Sequence, residues 1–245
     1  MPEHELWVTA LFNRFLAGPA IAILNLFGVT PEDAAHPWSN AQAMQLFVVV
    51  LLMLGLGLAR RTFSVDSPSR VQTIIELFYG FIKDQTKEMV PHGSQRYVSF
   101  FATLFLFILA GNLIGVIPSF ESPTMFVMVP LGCAVTVFVY YHAMAIRETG
   151  LKAWALHFCG PIWWLSPLML PIELISHSSR LLSLTVRLYA NMFAGEMVFL
   201  VFLGLVPLGI PIIFMGLHTF VSLLQAYIFT LLAMVYLGQM VEHEH

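Results

Sequence analysis

Charge is scarce in this chain: of 245 residues, 11 are Lys or Arg and 14 Asp or Glu, together 10%, where a soluble domain carries about 25%. That scarcity excludes an ordinary water-exposed globule. The few basic residues form no dense stripe, so no nucleic-acid partner is implied. Cysteine is scarcer still, and Cys133 and Cys159 are too few and too far apart for a disulfide framework or metal cluster. Both are read as packing residues. No GxxxxGK loop is present to hold a nucleotide. The N-terminus lacks a charged region followed by a short apolar core and a cleavage site, so no removable signal peptide is expected. What is abundant is apolar: 58% hydrophobic residues with 21 Phe and 13 Met, and a mean hydropathy of +0.82. The natural solvent is lipid.

A membrane span needs roughly 20 apolar residues. Uncharged stretches run from Ala41 to Ala59, from Tyr97 to Phe120 and from Ser122 to Ile146, with Pro118, Glu121 and Pro123 marking a tight turn between the last two. Met197 to Met240 is too long for one span, and Pro207, Gly209 and Pro211 divide it. The helix ending near Val206 extends back through Arg187 to Pro167 or Pro171, unusually long and unusually polar. Leu6 to Phe27 is apolar but broken by Asn13, Arg14, Gly18, Pro19 and Asn25, and reads as interfacial. Pro68 to Val90 places Val71, Ile74, Ile75, Phe78, Phe81 and Ile82 on one face, the spacing of an amphipathic helix on a membrane surface.

The expected fold is therefore an all-α integral membrane protein. About five membrane-embedded helices and one interfacial helix form a single domain over 1–245. Its parts are an N-terminal interfacial segment (1–40), a first span (41–59), a surface helix (68–90), two spans (97–146) and a long, tilted polar hairpin (167–240). No internal repeat is visible. The connection from Arg60 to Arg96 holds six Lys or Arg, the one after Ile146 holds Arg147 and Lys152, and the turns near Glu121 and Pro207 hold none. The positive-inside rule then places the N-terminus outside and the C-terminus in the cytoplasm.

An ionisable group in the hydrocarbon region costs at least about 2.5–3.5 kcal/mol on insertion scales, so each is a functional candidate. They concentrate between Pro171 and Glu196. At 100° per residue, Glu173, Ser176, Arg180, Ser183, Arg187 and Asn191 fall within about 40° of one line on a helix. Glu196, nine residues beyond Arg187, lies about 180° round and about 13.5 Å along. On the last helix His218, Ser222, Gln225, Tyr236 and Gln239 share a face. Two facing polar stripes suit an aqueous proton path, with Glu196 and His218 exchanging protons while Arg187 stays charged.

Plainer roles compete at several positions. Arg180 and Glu173 also fit as anchors that snorkel to the membrane edge, and Glu196 and His218 also fit as a pair that only satisfies its own burial. Asn191 and Gln225 equally fit as interhelical hydrogen-bond glue, and Glu121 as a solvated turn residue. His142 and His157 have no metal-ligand spacing and are read as structural or interfacial. Arg187, mid-segment between apolar runs, fits a structural role least well.

The run LTVRLYANMFAGE (Leu184–Glu196), His218, Gln225 and LLQAYIFTLLAMVYL (Leu223–Leu237) resemble subunit a of the F-type ATP synthase. GNLIGVIP (Gly111–Pro118), SPT (Ser122–Thr124) and PIELIS (Pro171–Ser176) extend the resemblance over about the last three fifths of the chain. Ala190 stands where many relatives have Gly, and both are small enough for close helix approach. The resemblance implies a non-catalytic stator subunit packed against a ring of carboxylate-bearing c subunits. Arg187 would face the ring, Glu196 and His218 would line a periplasmic half-channel, and Asn191 and Gln225 would sit beside the arginine. It further implies Glu173 and Ser183 towards the cytoplasmic exit, Glu121 near the periplasmic entry, and Ser222 as a lining residue. The implied partners are the c-ring, peripheral-stalk b subunits, the F1 sector and the lipid bilayer; no cofactor is expected. With no transit peptide and a positive-inside pattern, a bacterial inner membrane is the expected location.

Three other classes fit less well. A self-contained channel or secondary transporter would favour paired repeats or two broken helices in corresponding positions. A di-iron membrane enzyme needs closely spaced histidines, and the nine here are scattered. A passive scaffold leaves Arg187, Glu196 and His218 without a purpose.

Overall fold

The structure, a computed structural model, describes residues 6–26, 36–64, 67–90, 93–117, 120–152, 154, 164, 166–206 and 209–241. Pro118, His157, Cys159 and Pro207 lie outside these. Among the described residues every regular element is helical: α1 (Trp7–Leu26), α2 (Asn40–Arg60), α3 (Arg70–Met89), α4 (Gln95–Ile114), a 3-10 turn (Pro123–Met125), α5 (Met128–Thr149), α6 (Ser166–Leu205) and α7 (Ile210–Val241). Five of them, α2, α4, α5, α6 and α7, are long and apolar enough to cross a membrane. The expected all-α membrane architecture is what forms.

The helix starts follow local chemistry. Ser39 accepts from the Gln42 amide while the Gln42 side chain accepts from the Ser39 amide, a reciprocal cap that opens α2. Ser69 caps α3 in the same way on one side, through the Gln72 amide. On α3 the apolar face divides: Ile82 is buried and Phe78 packs on the core, while Val71, Ile74 and Leu77 remain uncovered. An uncovered apolar strip on a charged helix is what an interfacial helix offers to lipid.

Two boundaries differ from the sequence reading. Leu6 to Phe27 reads as interrupted, yet Trp7–Leu26 is one helix with Pro19 inside it. Pro19 has no N–H for the Phe15 carbonyl, and beside that gap the Trp38 indole donates to the Leu16 carbonyl at 3.1 Å. The turn between α4 and α5 is longer than expected, because α4 stops at Ile114 and α5 starts at Met128. Buried polar groups hold that turn. Ser122 Oγ donates to the Gly111 carbonyl at 2.9 Å, Thr124 Oγ1 donates to Asn112 Oδ1 at 2.6 Å, and Asn112 Nδ2 donates to the Ser222 carbonyl at 3.3 Å. A Cβ on Gly115 would come within 2.8 Å of Ser122 Cβ, so the chain closes on itself only with glycine there. Helix α6 begins at Ser166, beside the earlier of its two expected starts, so Pro171 lies inside it.

The main core joins α4, α5, α6 and α7 with the Ile82 end of α3. Tyr97, Phe101, Ile108, Val137, Tyr141, Leu188, Phe229, Met234 and Leu237 are all buried in it. Cys133 is one of its packing residues, as expected. A smaller cluster of Val8, Met44, Val48 and Ile114 attaches α1 and α2 to the end of α4.

Candidate functional site

On α6 the buried residues are His177, Leu184, Thr185, Leu188 and Met192, which form the seam against its neighbours. Taking Leu188 as the reference, Met192 lies about 40° to one side, Glu196 about 80° to that side and Arg187 about 100° to the other. Glu196 and Arg187 therefore flank the seam on opposite sides, and both are half-buried. The sequence periodicity predicts this opposition, and the packing explains it: the helix buries what lies between them.

Glu196 opens onto a small cleft lined by Gly115, Val116, Glu196, Phe199, Met215 and His218. It joins α6, α7 and the end of α4. The two titratable side chains share the cleft without an ion pair between them among the described residues, so mutual neutralisation does not account for their burial. His218 Nε2 is buried with no hydrogen-bond partner among the described residues. A buried polar atom in that state is commonly met by water. Gly195 makes room for the ring, since a Cβ at that position would collide with His218 Nδ1.

Arg187 has a different setting. Its Nη2 reaches Ser183 Oγ at 3.4 Å, one turn earlier, and no carboxylate lies within ion-pair distance among the described residues. One turn later, Asn191 Nδ2 donates to Gln225 Oε1 on α7 at 2.7 Å. Gln225 is fully buried, and its Nε2 has no partner among the described residues. Ser222 is also fully buried, with its hydroxyl 3.8 Å from Met192 Sδ. The two polar stripes thus meet at one hydrogen bond, between Asn191 and Gln225. That bond joins α6 to α7 beside the arginine, and the cleft described above lies on the Glu196 side. Of the shared face on α7, Gln239 is exposed and Tyr236 supports Arg180, whose guanidinium carbon lies 5.0 Å from the ring centroid.

Glu173 is a partner of His177, with Oε1 3.2 Å from Nε2, and His177 Nδ1 is 2.9 Å from Tyr141 Oη on α5. Glu173 is therefore more than a residue snorkelling at the edge. Ser183 is exposed beside Arg187, and Glu121 stands in the α4–α5 turn, half-buried. The sequence reading leaves Asn112, Thr124 and Tyr141 without a role. Asn112 had a signal: an amide in an otherwise apolar span needs a buried partner. Tyr141 had none, because its partner lies 36 residues away.

The arrangement is that of an all-helical integral membrane protein with ionisable groups within its spans and a polar contact between two of those spans. Residues 42–238 match the family model described as ATP synthase A chain. The chain is 49% identical to the ATP synthase subunit a of Koribacter versatilis (strain Ellin345) over 242 residues, covering 99% of each chain. It is 49% identical to that of Solibacter usitatus (strain Ellin6076) over 235 residues, 96% of this chain and all of the relative. With ATP synthase subunit a 1 of Syntrophotalea carbinolica it shares 37% over 248 residues, all of both chains. The chain belongs to the ATP synthase subunit a family, integral membrane components of a proton-translocating ATP synthase.

Proposed function

We propose that this chain is the stationary proton-conducting subunit of the membrane motor, with Arg187 separating two offset half-channels. The observation that carries the reading is the arginine's lack of a counter-charge among the described residues. A guanidinium held within a span at a cost of a few kcal/mol needs an anion, and here the anion must come from outside the described chain. A carboxylate on a rotating ring of c subunits is such an anion. Protons enter from the periplasm through the Glu196–His218 cleft, neutralise a ring carboxylate and so let it turn into lipid. After nearly a full turn the carboxyl meets Arg187, which favours its ionised form, and the proton leaves past Ser183 and Glu173 to the cytoplasm. The Asn191–Gln225 bond seals the seam against a direct leak. Each proton crossing supplies about 2.3 kcal/mol per 100 mV. In this reading the subunit is not itself an enzyme. It sits in a bacterial inner membrane with its N-terminus periplasmic, bound to the c-ring and the peripheral-stalk b subunits and, through the complex, to F1.

The test uses inverted membrane vesicles bearing Arg187→Ala in the assembled complex, with ATP-driven pumping and passive proton permeability recorded together. Lost pumping with permeability kept or raised supports a separator. Normal coupled pumping would make Arg187 a structural residue and remove the proposal.

A further inference from the structure

Along most of α3 and at the start of α4, basic side chains have acids beside them. Arg96 pairs with Glu148 at 2.8 Å, and Lys83 and Lys87 share the second half of α3 with Asp84 and Glu88. The corner where α2 gives way to α3 differs. Arg60, Arg61 and Arg70 are all exposed, and none has a carboxylate within ion-pair distance among the described residues. From Arg60 to Ile75 the sequence holds a single acid, Asp66. The corner is also tied. The Ser64 amide donates to Gln72 Oε1 at 2.9 Å and Gln72 Nε2 donates to the Ser64 carbonyl at 3.1 Å, which fastens the chain just past Arg61 to the first turn of α3, beside Arg70. Three residues reach at most about 11 Å, so the tie keeps the three arginines in one neighbourhood.

Each helix leads an apolar strip to that corner. Round α3, Ile74, Leu77 and Phe81 lie within about 40° of Arg70, and all three are uncovered, Leu77 to 75%. Round α2, Leu54 and Leu58 lie within about 60° of Arg61, and both are uncovered, Leu58 to 61%. Asp84 and Glu88 continue the α3 strip at its far end, within about 40° of the same line. An anion on this strip is therefore drawn to the Arg70 end and repelled from the other. Arginines that only anchor a span need neither the tie nor the strips. A phosphate carrying two acyl chains uses all of them: unneutralised positive charge, a fixed corner and apolar walls leading away from it.

We infer that the α2–α3 corner is a binding site for one anionic phospholipid, its phosphate held by Arg60, Arg61 and Arg70 and its acyl chains laid along Leu54 and Leu58 on α2 and Ile74 and Leu77 on α3. Guanidinium groups suit a phosphate because their N–H donors form a planar fork that meets two oxygens at once. A zwitterionic headgroup brings its own cation, which the same arginines repel, so phosphatidylglycerol is preferred to phosphatidylcholine. The site shares no residue with the proton path proposed above and does not depend on it.

The experiment places the intact complex in vesicles of phosphatidylcholine with a minority of phosphatidylglycerol, extracts it in mild non-ionic detergent, and counts the lipids that stay with it by native mass spectrometry. Wild type should keep one phosphatidylglycerol more per copy of this chain than a variant carrying Arg60→Gln, Arg61→Gln and Arg70→Gln, with phosphatidylcholine equal in both. Each arginine near a charged lipid adds about fivefold in affinity. The phosphatidylglycerol fraction needed to fill the site should therefore rise at least about tenfold in the variant. Equal phosphatidylglycerol counts, or a loss shared with phosphatidylcholine, overturn the site. Arginines at a span end also guide insertion, so a second variant keeps every charge: Ile74→Asn with Leu77→Asn should lose the same lipid. Should the arginine variant fail to assemble, a wild-type count in this second variant overturns the site equally. If wild type keeps no excess of phosphatidylglycerol and the arginine variant sheds another subunit instead, the corner belongs to a protein partner and the lipid site falls.

Discussion

Helices α4 and α6 are both long, apolar and capable of spanning a membrane, yet their own chain treats them differently. Half of the most apolar stretch of α4 is buried inside the protein, against 11% for α6. Helix α4 holds the core and carries no Asp, Glu or Lys; α6 carries Glu173, Arg180, Arg187 and Glu196 and stays largely uncovered. The part that keeps the subunit folded and the part that holds its charges are thus largely separate. Substitutions on the covered helices should damage the fold, and substitutions on α6 should damage proton movement while the fold persists.

The largest loss of stability is expected at Asn112. Replacing it by Leu removes two buried hydrogen bonds, from Thr124 Oγ1 and to the Ser222 carbonyl, which together should cost about 2–3 kcal/mol. Thermal aggregation of detergent-extracted complex would show it as a lower midpoint, and an unchanged midpoint would remove the network's structural role. Next comes Gly238→Val, where α7 touches the end of α3: a Cβ there would meet the Met89 carbonyl oxygen. The resulting shift should cost about 2 kcal/mol by overpacking, read in the same assay. Gly195→Ala should cost only about 1 kcal/mol by the same principle, since the obstructed group is a side chain that can rotate. Its mark should be functional, because His218 is turned out of the cleft. Pumping per assembled subunit should fall well below wild type, whereas equal small losses in fold and pumping would argue against a role for the ring's position.

How much of this is legible in sequence follows from which forces are local. The number of apolar spans depends on composition along single helices, and the five expected are found; the placing of Arg187 and Glu196 on opposite flanks of α6 likewise follows from periodicity within one helix. The end of α4 at Ile114 and the 3-10 turn at Pro123–Met125 depend on Ser122 folding back on Gly111 and Gly115, a contact between elements that no window of sequence displays. At the site, Arg187, Glu196, His218 and Gln225 stand out because charge and amides are rare in spans. His177 bridging Tyr141 and Glu173 is hidden, since it takes a register between α5 and α6 to bring them together. The Asn191–Gln225 hydrogen bond is hidden for the same reason, as two polar stripes predict a channel as readily as a hydrogen bond.

The smallest expected effect bears most directly on the comparison. Leu182 lies on the outer face of α6 and is 62% exposed, with Val186 and Ile175 uncovered near it. Leu182→Ala should leave the folded subunit within about 0.5 kcal/mol of wild type, since the site leaves no cavity in the core and lipid tails are as apolar as the side chain lost. The readout that matters is therefore coupling. A face that meets only lipid should pump normally after the change. If pumping or binding of the c subunits weakens while the thermal midpoint holds, the bare face of α6 is a surface completed by another chain, and Arg187, which has no counter-charge among the described residues, meets one there.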